Sequence, residues 1–249
     1  MENLIIGSTI SKTFGKAGAE SLALGEVNID LAKGEFVAVM GPSGCGKSTL
    51  LYALSGMDTI TSGSVVFDGI ALEQLSENEL ADIRRQRMGF IFQQPTMLKN
   101  LSILDNIILP ALRDARKDVA QLKEKAEALL KKTGIAELGN RDIAEVSGGQ
   151  LQRAGICRSL MGTPDILFAD EPTGALNSKA SAEIMDLLVE INQEGTAILL
   201  VTHDAKVAAK AQRILFMKDG QIASDLRVAK ETSESRMELI NAQMTELEI

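Results

Sequence analysis

The chain of 249 residues carries 34 acidic against 26 basic side chains, a formal net charge of −8, with 45% hydrophobic and 24% charged residues. That composition describes a globular chain long enough to bury a full core. It disfavours a nucleic-acid partner, because there is no net basic charge to neutralise phosphates, and only 3% aromatics, with no Trp, to stack on bases. The two cysteines, Cys45 and Cys157, have no metal-type spacing and suggest no disulfide framework, which fits a reducing, cytosolic setting. No apolar run reaches the roughly 20 residues that span a bilayer. The start, MENLIIGSTISK, lacks the basic region and long apolar stretch of a signal peptide. These features predict a chain soluble by itself that meets a membrane only through a partner.

In chain order, NLIIGSTISKTF, LALGEVNIDLA and EFVAVM read as β-type runs, the last leading straight into a glycine-rich loop at Gly41. TLLYALSGM then reads as a helix, with Leu50, Leu51, Leu54 and Met57 at helical spacing. SVVFDGIAL is a β segment turning at Asp68-Gly69, and Ser76 with Glu79 forms a capping box opening a charged helix through Arg87. From Gln93 to about Met161 the apolar spacing is helical, with Ser102…Asp105 and Asp118…Gln121 as helix starts. VAQLKEKAEALLKKTG is an amphipathic helix ending in lysines and a glycine. We read residues 94–161 as an inserted helical subdomain within a single domain whose core is 1–93 and 162–225.

DILFAD, AILLVTH and RILFMKDGQI bring back β-type runs separated by helical stretches, so the core is α/β with a mostly parallel sheet. A last helix over about 233–249 has an apolar stripe at Met237, Ile240, Met244 and Leu247, with Ser235…Glu238 as its cap. That stripe suits a docked terminal helix or a helix that binds a partner.

GPSGCGKS, Gly41 to Ser48, fits the phosphate-loop pattern in full, with a strand before it and a helix after it. Gly44 and Gly46 let the backbone approach phosphate oxygens, so that the N–H groups of the Gly41, Ser43 and Cys45 loop turn inward. Lys47 brings a point charge to the β- and γ-phosphates, Ser48 a hydroxyl to Mg²⁺, and Thr49 a contact lower on the phosphate chain. ILFADE is a buried apolar strand ending in two acids, which is costly unless a cation waits there. Asp170 would hold Mg²⁺ through its water shell, and Glu171 could accept a proton from an attacking water; the alternative is a strand-end acid capping a turn before Pro172. His203, the sole histidine, ends a core strand, where α/β proteins bind ligands, and could hold the γ-phosphate.

VSGGQLQR, residues 146 to 153, presents a second glycine pair ahead of a helix. With these motifs in this order the chain resembles an ATP-binding cassette (ABC) ATPase over roughly residues 3–225. The resemblance implies a P-loop cassette with a mostly parallel core sheet, an antiparallel β subdomain and an inserted helical subdomain. It implies that two copies pair head to tail, so that Ser147, Gly148, Gly149 and Gln150 of one close over the γ-phosphate held by the other. Phe14 sits where the family stacks an aromatic ring on adenine, a plain core Phe being the alternative, and Gln93 matches the glutamine that touches Mg²⁺ and water. Gly174-Ala175-Leu176-Asn177 occupies the D-loop, where the commoner last residue is Asp, and Val146 replaces the commoner Leu.

RMGFIFQQPTMLKNLSILDNIILP and FADEPTGALNSK look like cassettes of the macrolide-export and lipoprotein-release group, which includes antimicrobial-peptide (bacitracin-type) resistance. The implied partner is an FtsX-like permease, which would hold the cassette at the cytoplasmic face of the membrane. Its coupling helix would dock near Gln94, Met97, Leu98 and Leu101, unless those apolar residues are buried. The expected function is an ATPase subunit powering that permease. A membrane-signalling module that moves no substrate and a soluble ABC ATPase are the alternatives. A soluble type is disfavoured, since there is neither a long coiled coil between the nucleotide motifs nor a second cassette.

Overall fold

The computed structural model describes residues 2–15, 19–113, 118–229 and 231–249. The β-rich opening forms β1 (Asn3–Phe14), β2 (Ser21–Ala32) and β3 (Phe36–Met40). β1 lies antiparallel to both β2 and β4 (Ser62–Phe67), and β5 (Ile70–Ala71) completes a sheet of order β2-β1-β4-β5. Between β4 and β5 the turn residues Asp68 and Gly69 both take positive φ, 47° and 82°, as a two-residue hairpin requires.

The second sheet takes β3 as an inner strand and adds β6 (Met88–Phe92), β7 (Ile166–Asp170), β8 (Ala197–Thr202), β9 (Arg213–Lys218) and β10 (Gln221–Arg227). The order is β10-β9-β3-β8-β7-β6, parallel throughout except for β10. The run RILFMKDGQI, read above as one β stretch, is thus a hairpin. Asp219 and Gly220 turn it with φ of 49° and 78°, the same chemistry as Asp68-Gly69.

Continuous apolar strands are the mark of a sheet covered on both faces. Val37 and Val39 of β3, Phe168 of β7 and Leu199 of β8 point into one cluster, which the antiparallel sheet and α1 (Lys47–Leu54) cover. Their alternating neighbours Phe36, Ala38, Met40, Leu167 and Leu200 join a second cluster with α5 (Gly148–Leu160), α6 (Ser178–Gln193) and α7 (Ala205–Ala208). α2 (Glu77–Arg87) opens with the expected Ser76–Glu79 capping box.

Between β6 and β7 lie α3 (Ile103–Ile108), α4 (Val119–Lys132) and α5. Ser102 and Asp118 cap the first two as read from the sequence. Their apolar faces enclose a third cluster that includes Ile103, Ile107, Leu130 and Cys157. Residues 114–117, inside the stretch expected to be helical, lie outside the described residues. Both cysteines are free and buried, and burial pushes the Cys157 thiol up to about 11.

Two local expectations need correction. α1 stops at Leu54, because Gly56 (φ 62°) ends it, and the Met57 N–H closes back on the Tyr52 carbonyl at 2.9 Å. Met57 is therefore 43% exposed instead of continuing the apolar stripe. The last helix, α8 (Ser233–Leu247), is capped by Thr232 and not by Ser235, whose hydroxyl bonds Glu231 instead. α8 is docked: Ile240 is fully buried, and Arg236 and Lys218 donate to the carbonyls of Ala209 and Leu247. No helix among the described residues is long and apolar enough to cross a membrane.

β6 meets α5 at Gly89, where an added Cβ would lie 2.6 Å from the Ser159 carbonyl oxygen. Gly89→Ala is expected to cost about 1–3 kcal/mol, the usual price of overpacking. A thermal melt lowered by several degrees, with the circular dichroism spectrum retained, checks it.

Candidate functional site

A parallel sheet puts the C-terminal ends of its strands on one edge. Phe92 pairs with Asp170, Asp170 with Val201, and Thr202 with Met40. Gln93, Glu171, His203 and Gly41 are the residues immediately after β6, β7, β8 and β3. The register alone therefore assembles residues from four distant stretches of sequence. They open onto a cleft of about 590 Å³, lined by Ser43, Lys47, Thr49, Gln93, Glu171 and His203, with Gly44, Gly46, Ser48 and Ala23 completing the wall.

The loop's shape is dictated by glycine at one point above all. Gly46 has φ 102°, and an added Cβ would lie 2.5 Å from the Ala23 carbonyl oxygen of β2. It is also the N-cap of α1, with no capping side chain and no acid in the first turn. The first N–H groups of α1 are thus left without side-chain partners at the positive end of the helix dipole, which is the arrangement that suits an anion. Lys47 is buried, and its Nζ donates to the carbonyls of Gly41 (2.9 Å) and Pro42 (2.8 Å), clasping the loop from inside. Cys45 turns its thiol into the core, where the sulfur lies 3.9 Å from Lys47 Nζ, and donates its N–H to the Pro42 carbonyl at 3.4 Å, so its side chain faces away from the cleft.

Asp170 is engaged at both carboxylate oxygens. The Ser48 hydroxyl donates to Oδ1 and the Tyr52 hydroxyl to Oδ2, each at 2.9 Å. Burial, with the Asp170 carboxylate as the next cause, pushes the Tyr52 phenol up to about 12, so it stays protonated as a donor at neutral pH. The hydrogen of Ser48 lies on Asp170, which leaves the hydroxyl lone pairs for a cation. Among the described residues no cluster of three or more His, Cys, Asp or Glu could cage a metal. One carboxylate and one hydroxyl beside a phosphate loop fit Mg²⁺, which keeps its waters and is completed by phosphate oxygens.

Glu171 has φ 49°, a left-handed conformation unusual for a non-glycine residue. Its N–H adds one more ladder bond, to the Val201 carbonyl at 3.0 Å, before the chain turns away. The turn aims its carboxylate at His203, whose Nδ1 lies 2.8 Å from Glu171 Oε1. Nε2 is then the ring nitrogen left for a ligand. The Gln93 amide packs against the D-loop: a Cβ on Gly174 would lie 2.9 Å from Gln93 Nε2.

Other residues singled out from sequence lie outside this cleft. Phe14 is 46% exposed, which rules out a core role, and Lys12 Nζ sits 4.8 Å from its ring centroid. It faces Ser21, two residues before Ala23 in the cleft wall. Ser147 caps α5, accepting the Gln150 N–H at 3.4 Å, while Gln150 Oε1 accepts the Ser147 N–H at 2.8 Å. The signature is therefore also a capping box, and Gly148 and Gly149 run beside Leu176 and Ala180 at the start of α6. Asn177 caps α6 through the Ala180 N–H at 2.9 Å, a duty that Asn performs as well as Asp. Near the supposed docking loop Leu98 is half exposed but Met97 is buried in the helical cluster. A groove of about 590 Å³ also opens between the two lobes, lined by Arg84, Phe90, Pro110, Leu122 and Arg158 among others.

Residues 24–174 match the ABC transporter family. The chain belongs to that family. The cassette is 42% identical to an uncharacterized ABC transporter ATP-binding protein of Methanocaldococcus jannaschii, over 88% of this chain and 97% of that one. It is 40% identical to the macrolide export ATP-binding/permease protein MacB of Mannheimia succiniciproducens, over 90% of this chain but only 34% of that longer protein. Among solved structures it resembles a dimeric post-hydrolysis ATP-binding cassette bound to ADP and Pi, with a TM-score of 0.84 and 36% identity over 90% of this chain and 98% of that one. The fold is the ABC cassette, and the cassette is an ATP-binding ATPase of the transporter type.

Two features escaped sequence reading. Ser147…Gln150 has the same capping-box spacing as Ser76…Glu79. Tyr52, the only tyrosine, stands four residues after Ser48 on the same helix face. Ser147→Ala is expected to lose about 1 kcal/mol of stability through the missing cap. Urea unfolding of the nucleotide-free protein measures it apart from any effect on ATP.

Proposed function

We propose that this cassette hydrolyses ATP to drive an FtsX-like membrane permease in export or antimicrobial-peptide resistance, from the cytoplasmic face of the membrane. The observation that carries the reading is the similarity to MacB, whose name joins an export ATPase and a permease, across 90% of this chain. The interlobe groove, with Arg84, Arg158 and apolar walls, offers such a partner a seat.

At the cleft, Lys47 and the N–H groups of Gly44, Gly46 and the first turn of α1 hold the phosphates. Thr49 and Ser43 add hydroxyls at the rim. Phe14 stacks on the base, its exposed ring being the support for that role. Ser48, Asp170 and Gln93 hold Mg²⁺, which when bound neutralises charge on the phosphates. Glu171 takes the proton of the attacking water, and His203, oriented by its bond to Glu171, presents Nε2 to the γ-phosphate. Ser147, Gly148, Gly149 and Gln150 complete the site of a second copy, head to tail. The dimeric state of cassettes 36% and 38% identical to this chain supports that arrangement.

Glu171→Gln keeps the size and the binding groups while removing the proton acceptor, so it should arrest the protein as an ATP-bound dimer. Size-exclusion chromatography with ATP shows the dimer, and hydrolysis at the normal rate would remove Glu171 from the base role. The same variant, recovered with ATP from solubilised native membranes, should bring down a permease with few transmembrane helices and a large external domain. A homodimer without a membrane partner leaves the ATPase standing and overturns the transport reading. Lys47→Ala should lower ATP affinity by about ten- to a hundredfold, the scale of a lost charge-assisted contact. Unchanged affinity in calorimetry would displace Lys47 from the phosphates.

A further inference from the structure

We propose that Tyr52 is a positioning residue for Mg²⁺: its hydroxyl fixes the Asp170 carboxylate so that Oδ1 stays turned to Ser48 and the metal. The inference rests on the metal reading of Asp170 given above.

Ser48 and Tyr52 are four residues apart on α1, so both side chains leave the same face of the helix. That face meets the end of β7, and the two hydroxyls divide the carboxylate between them, Ser48 on Oδ1 and Tyr52 on Oδ2. The terminal torsion of an aspartate is soft and roughly two-fold, so a carboxylate held at one oxygen can still swing the other away. Two donors from one rigid helix remove that freedom. Tyr52 is also braced from behind, because its carbonyl accepts the N–H groups of Met57 (2.9 Å) and Asp58 (3.2 Å). Asp58 is in turn held by the buried Lys12 at 2.7 Å.

Metal binding needs Ser48 and Asp170 in a fixed relation, whereas contacts with the phosphates alone do not. Tyr52 therefore acts on the metal-dependent part of ATP affinity and not on the metal-free part. Its phenol ring, packed against the core cluster, fills space that phenylalanine fills equally well.

The test is titration calorimetry of the full chain with ATP, once with Mg²⁺ and once with EDTA, for wild type, Tyr52→Phe and Asp170→Asn. Tyr52→Phe is expected to keep the EDTA affinity and to lose about three- to tenfold of the affinity gained with Mg²⁺, the scale of one ordinary net hydrogen bond, because Tyr52 touches Asp170 and not the metal. Equal losses with and without Mg²⁺ would make Tyr52 merely structural and overturn the proposal, as would an undiminished gain. Asp170→Asn separates this from the underlying reading. If it too keeps the full gain with Mg²⁺, the metal assignment of Asp170 fails and the role of Tyr52 falls with it. If Asp170→Asn loses the gain and Tyr52→Phe keeps it, only the positioning role fails. A thermal melt of Tyr52→Phe near that of wild type confirms that the comparison is between folded proteins.

Discussion

Parallel pairing of β3, β8, β7 and β6 is the constraint on which the rest depends, because it fixes where every strand ends. The alternation of side chains between two apolar clusters makes that pairing specific. Shifting one strand by one residue would exchange Val37 and Val39 with Phe36 and Ala38, and each set is shaped for its own face. The core thus sets the geometry of the cleft at a distance: strands of the correct length and register gather Gln93, Glu171 and His203, and the bond between Glu171 and His203 follows from that placement.

A second layer of constraint ties the helical lobe to that edge. Gln152 of α5 is buried and donates to the Phe92 carbonyl at 3.0 Å, one residue before Gln93. Arg158, further along the same helix, donates to the Thr96 carbonyl, and Gly155 lies against Pro95. Arg153 joins the helix to Glu183 of α6 at 2.7 Å and to the Thr133 carbonyl. The segment after β6 is therefore gripped along its length by the helix that the signature opens. Gln93 and the signature motif, far apart in sequence, are thus joined through one helix.

Much of this was legible from residue patterns. β1, β2 and β3 begin and end close to where their β-type runs do, because turn residues bound those runs and burial fixes the short, wholly apolar β3. The phosphate loop was legible because glycine, lysine and serine are needed there for stated reasons. Other features depend on knowledge that a one-dimensional pattern lacks. Met57 has helical spacing, yet Gly56 ends the helix first, because a left-handed residue outweighs one more apolar contact. Asp219-Gly220 carries the same turn signal as Asp68-Gly69 but stands inside an apolar run that reads as continuous. Tyr52 gains its meaning from Asp170, which arrives from 118 residues away.

The Lys47 clasp has a consequence for the order in which energy is released. An ammonium taken from water and given only neutral partners is less fully compensated than one paired with an anion, and Lys47 is buried against the carbonyls of Gly41 and Pro42 and the Cys45 sulfur. That burial belongs to the folded structure itself, so much of the desolvation of Lys47 falls on folding. On the phosphate-binding role proposed for Lys47, an anion would exchange two neutral acceptors for charged ones without having to strip the lysine of water. On the same reading part of the affinity is set against the stability of the fold, and bound nucleotide would return it as resistance to unfolding.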